Sequence, residues 1–92
     1  MKKYLIIFTF FMYDFDVVKI NGLKDFTKIY VKDLDILHKT VQELSNKQYD
    51  IYCLFESCYL EQMKLNISEA SEINSPFGKY VISKVDGVDR LN

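Results

Sequence analysis

The sequence predicts a small single α+β domain over residues 1–92: an antiparallel or mixed sheet of four or five strands, a β-hairpin near the N-terminus, and one main helix over about 33–47 packed on one face. Three observations lead there. An apolar run follows Lys3. An Asn-Gly pair separates two strand-like segments. Leu34, Leu37, Val41 and Leu44 then recur at helical spacing before apolar segments resume. Strand, then helix, then strand is the pattern of an α+β domain.

Residues 3–13 read as a strand buried on both sides. Tyr4, Ile6, Phe8, Phe10 and Met12 line one side, and Leu5, Ile7, Thr9, Phe11 and Tyr13 the other. Asn21-Gly22 lies between Phe15–Ile20 and Leu23–Val31. Asn-Gly supplies the two positive φ values of a type I′ turn, so these segments are expected to form a hairpin. Asp33 suits a helix N-cap, and Asp35 stands where the helix dipole favours an anion.

Residues 50–65 admit two readings. Tyr49–Glu56 is rich in aromatic and aliphatic residues and is read as a strand over 50–56. A helix capped by Asp50 is the alternative. Residues 58–65 continue as a further strand or a short helix. Asn66–Ile73 is expected to form a short helical turn before the breaker Asn74-Ser75-Pro76. Gly78–Val85 reads as the final strand, Asp86-Gly87 as a turn, and the tail as frayed.

Composition excludes several chemistries. With three Gly and one Pro, no Gly-rich phosphate loop or Pro-rich linker is available. Cys53 and Cys58 are five residues apart, a spacing that favours neither a bridge nor a zinc site. They are expected to be buried free thiols in a reducing compartment. His38 is the single histidine and sits beside the helical stripe, so it is read as a helix-surface or partly packed residue rather than a general base. No catalytic set, metal site or cofactor is expected. The basic start and apolar run imitate a signal peptide, but Asp14-Phe15-Asp16 stands where a cleavage site should be, and the run is too short to span a bilayer. A cytoplasmic chain without membrane contact is expected.

Two surfaces remain as candidates. On the expected hairpin, Lys24, Phe26, Lys28, Tyr30 and Lys32 share one face, joined across the turn by Lys19, Val17 and Phe15. Basic groups interleaved with aromatics suit single-stranded nucleic acid, and the same pattern arises when lysine stems cover packed rings. The second surface is acidic. Residues 33–78 carry eight acidic residues and three lysines, whereas residues 1–32 carry six lysines and three aspartates. The net charge of −1 hides this division. Asp33, Asp35, Glu43, Glu56 and Glu61, with Glu69 and Glu72, could meet a basic protein patch.

The expected function is therefore a small non-enzymatic protein-binding module, a regulator or inhibitor. Eleven lysines against one arginine, with many Ile and Asn, suit an AT-rich coding sequence. That fits a phage or mobile element, and an antagonist of a host defence complex would be one instance. The partner is a protein, and a homodimer is a further possibility. Nucleic-acid binding through the hairpin face is the alternative. A metal-dependent nuclease using Asp14 and Asp16, with Asp25, is a weaker third.

Overall fold

A computed structural model describes residues 2–9 and 14–88, apart from the side chains of 14–16. The elements in chain order are β1 (Lys3–Phe8), α1 (Asp14–Asn21), β2 (Phe26–Val31), α2 (Leu34–Asn46), β3 (Asp50–Glu56), a 3₁₀ helix (Ser57–Gln62), β4 (Leu65–Ser75) and β5 (Gly78–Val88). The five strands form one mixed sheet in the order β2-β1-β3-β5-β4. It is a single α+β domain with α2 as its main helix.

β1 is central because both of its faces are apolar. Ile6 and Phe8 join a cluster with Leu37, Val41 and Leu44 of α2, while Leu5 and Ile7 join a second cluster with Ile20 of α1. β1 pairs in parallel with both β2 and β3. Parallel neighbours need crossovers, and these two run in opposite directions along the sheet. Right-handed crossovers therefore place α1 and α2 on opposite faces.

The expected N-terminal hairpin does not form. Residues 14–21 are helical, and β2 runs parallel to β1. Asn21-Gly22 ends α1: the Gly22 N–H donates to the carbonyls of Val18 and Lys19, and the Leu23 N–H to that of Ile20. Neither Asn21 nor Gly22 has positive φ, which a type I′ turn requires at both positions. Packing decides the outcome, because the helix covers the second apolar face of β1 with Ile20, 2% exposed.

α2 matches its sequence pattern. Asp33 caps it, its Oδ1 accepting from the N–H of Asp35 at 2.7 Å and of Ile36 at 3.3 Å. Asp33→Ala is expected to cost about 1 kcal/mol in urea unfolding, because two N–H groups lose their acceptor. After α2, Gln48 takes φ 60° and turns the chain into β3.

β3 and β5 pair antiparallel, as do β4 and β5. Residues 66–73 are strand rather than a helical turn. β4 is an edge strand wetted on most of its length, so its Ser, Glu and Asn residues need no apolar stripe. The Asn74-Ser75-Pro76 breaker ends β4, and Pro76-Phe77 make the hairpin turn into β5, where Ser75 Oγ donates to the Gly78 carbonyl and accepts from the Phe77 N–H. Asp86-Gly87 does not turn the chain. It lies within β5, and Asp86 and Ser68 are skipped in the β4–β5 ladder as bulges. The expected extension of β1 through residues 10–13, and the tail at 89–92, lie outside the described residues.

Candidate functional site

Because β1, β2 and β3 are parallel, their C-terminal ends lie along one rim of the sheet. There the two crossovers diverge, one leaving β1 for α1 and the other leaving β2 for α2. In open sheets this is where ligand crevices form.

The rim is built from the residues that follow each strand. Thr9 follows β1, Lys32 and Asp33 follow β2, and Glu56 closes β3. The Thr9 hydroxyl donates to Glu56 Oε1 at 3.0 Å, joining the two central strands. The Cys58 thiol lies 3.8 Å from Glu56 Oε2. Tyr59, on the 3₁₀ helix, meets Phe8 edge-to-face at 5.6 Å and 85°. Partial burial, then the charges of Glu56 and Cys58, raise the Tyr59 phenol above its ordinary pKa, so the ring stays neutral. His38 on α2 hydrogen-bonds through Nε2 to the Met63 carbonyl, tying the helix to the segment after the 3₁₀ helix.

Two depressions open here. One, of about 360 Å³, is lined by Phe8, Lys32, Asp33, Leu34, Asp35, Tyr59 and Gln62. The other, of about 520 Å³, is lined by Leu34, Asp35, His38, Glu61, Gln62 and Lys64. Shared Leu34, Asp35 and Gln62 make them one trough between α2 and the 3₁₀ helix.

The structure thus brings Lys32, Asp33, Asp35, Glu56 and Glu61 to one end of the domain. It does not assemble the expected hairpin face. Lys19 is exposed on α1, and Lys24 is in the turn before β2. Phe26, Lys28 and Tyr30 do share one face of β2. Yet Phe26 is half-buried against Tyr52, ring centroids 5.1 Å apart, with Lys3 Nζ 6.0 Å from its centroid. Glu43 is exposed further along α2, away from the trough.

Sequence reasoning did not select Thr9, Leu34, Tyr59 or Gln62 for this site. Only the parallel pairing of the first three strands reveals that their ends meet.

The side chains of Asp14 and Asp16 lie outside the described residues. Asp25 precedes β2, beyond the C-terminal end of α1; the grouping of the three considered for a nuclease therefore lies outside the described residues. Among the described residues no three His, Cys, Asp or Glu are placed to hold a metal ion. No helix among them is long and apolar enough to cross a membrane.

The cysteines divide, correcting the expectation that both are buried. Cys53 is buried in β3, and burial pushes its thiol up to about 12, while Cys58 is exposed. A disulfide reagent at neutral pH is expected to titrate one thiol per native chain and two in denaturant. Fast reaction of both in the native chain would contradict this burial.

No protein-family model matches the chain, and neither a curated protein nor a solved structure matches it.

Proposed function

We propose that the protein is a non-enzymatic binding module that regulates or inhibits another protein by holding it at the rim of the parallel strands. The observation that carries this reading is the convergence of Lys32, Asp33 and Asp35, at the β2–α2 connection, with Glu61 of the 3₁₀ helix around one open trough. The trough is open to solvent, so a partner surface can enter it directly. Each flanking element also exposes a large apolar side chain: Ile36 on α2 and Leu60 on the 3₁₀ helix are 54% and 48% exposed. Apolar contacts ringed by charge are the ordinary make-up of a transient interface.

Nucleic-acid binding receives less support, because of the basic-aromatic face it required only the β2 part, with Phe26, Lys28 and Tyr30, is assembled.

The test is affinity capture from cells of the source organism with the tagged chain and with the Asp35→Lys/Glu61→Lys variant. One partner held in fixed proportion by the parent chain and released by the variant is the expected result. A partner held equally by both chains, or none held by either, overturns the reading.

A further inference from the structure

We infer that the chain forms a two-fold dimer through the free edge of β2, joining two five-stranded sheets into one. The occupant of that edge is a second copy of the chain. The inference stands apart from the binding role of the trough.

The first ground is the contrast between the two edges of the sheet. Among the described residues, β2 and β4 each have a strand on one side alone. β4 is the guarded edge. Its ladder with β5 shifts register twice, and its exposed residues include Glu69 and Glu72 among serines. Bulges and charge keep an edge from pairing. β2 pairs with β1 from Phe26 to Val31 without a shift. Every residue of β2 except Lys28 is aromatic or β-branched, the types that favour strand pairing. Thr27, on the face that α2 covers, and Tyr30, on the face that α1 covers, are both exposed, so neither helix closes the edge.

The second ground is self-complementarity. Identical strands related by a two-fold axis pair antiparallel, with one residue opposite itself. Centring on Lys28 sets two lysines against each other, and centring on Tyr30 sets Lys28 against Lys32. Like charges directly opposite oppose pairing. Centring nearer either end leaves half the strand unpaired. Centring on Ile29 avoids all of these. Ile29 then meets Ile29 of the second copy, Thr27 meets Val31, and Lys28 meets Tyr30. By symmetry the last two pairs each occur twice. Phe26 falls opposite Lys32. Asp25 and Asp33 lie outside the strand, and Asp33 caps α2. Half-buried Lys28 can lay its stem along the Tyr30 ring of the second copy, a residue 53% exposed. The interface is small, so the dimer dissociates on dilution. Antiparallel pairing holds its two troughs at opposite ends.

Sedimentation velocity on the full chain over a concentration series tests this. The mass is expected to rise from one chain to two with concentration. Tyr30→Lys puts a second lysine opposite Lys28 in both pairs and should weaken dimerisation by about tenfold. Lys28→Glu/Tyr30→Lys makes those pairs opposite in charge and should recover it to within about threefold. Ser71→Lys on exposed β4 should change nothing, and circular dichroism checks that each variant is folded.

A monomer at every concentration, a dimer that Tyr30→Lys leaves intact, or no recovery in the double variant overturns the inference. Loss in Ser71→Lys assigns the contact to β4 and overturns it as well. Partner capture depends on Asp35 and Glu61, which lie off β2, so the dimer and the binding role fail separately.

Discussion

Phe55→Ala is expected to remove about 3–5 kcal/mol of stability, the largest effect of any single truncation considered for this chain. Phe55 is fully buried on β3, between β1 and β5. Its neighbours in register are Phe8 on one side and Val81 on the other, and all three belong to the cluster that α2 covers. Removing the ring withdraws contacts from both strands and leaves a cavity that a paired sheet cannot close. A domain of this size has roughly 5–15 kcal/mol of stability in total, so the variant should be partly unfolded or near it. Urea unfolding followed by circular dichroism measures the change. A loss below about 1 kcal/mol would mean that β3 is not the packed centre of the sheet.

The second large effect separates two adjacent residues of α2. Leu37→Ala should cost about 2–5 kcal/mol, because Leu37 is fully buried. Ile36→Ala should change stability by no more than about 0.5 kcal/mol, because Ile36 is 54% exposed. The contrast tests the rotation of the helix directly. If the costs came out similar, α2 would be turned on the sheet by part of a helical step. It also prepares the binding experiments, since a near-neutral Ile36 variant can report partner contact without confusion from unfolding.

The readable parts of the sequence were those where local and tertiary preferences agree. Asp33 and the Leu34–Leu37–Val41–Leu44 stripe act together, so α2 runs over Leu34–Asn46 with the expected cap. Tyr49–Glu56 was read as a strand over 50–56, and β3 spans Asp50–Glu56. The misreadings fall where one local signal serves two structures. Asn-Gly stops a helix as readily as it turns a hairpin. The choice at Asn21-Gly22 was made by β1, which lies far from it in sequence and needs cover on both faces. Asn66–Ile73 looked too polar for a strand because an edge strand has little apolar face to display. The candidate site was half legible. Its charged residues other than Lys64 were named, but its geometry depends on β1, β2 and β3 being parallel. Tyr59, Leu34 and Gln62 carry no signal of their own until that pairing is known.

β5 is the last of the described strands in sequence, yet it sits inside the sheet, between β3 and β4. During synthesis, β1, β2 and β3 can associate before β5 exists, leaving the outer edge of β3 open. That edge belongs to a strand carrying Leu54 and Phe55, and an open apolar edge invites pairing with other chains. β1 and β3 are also joined through distant residues, Lys3 opposite Asp50, so the parallel core itself forms slowly. A premature stop within the codons for β5 would thus be as harmful as an early one. The released chain would hold β1 to β4 and still lack the strand that seals their centre.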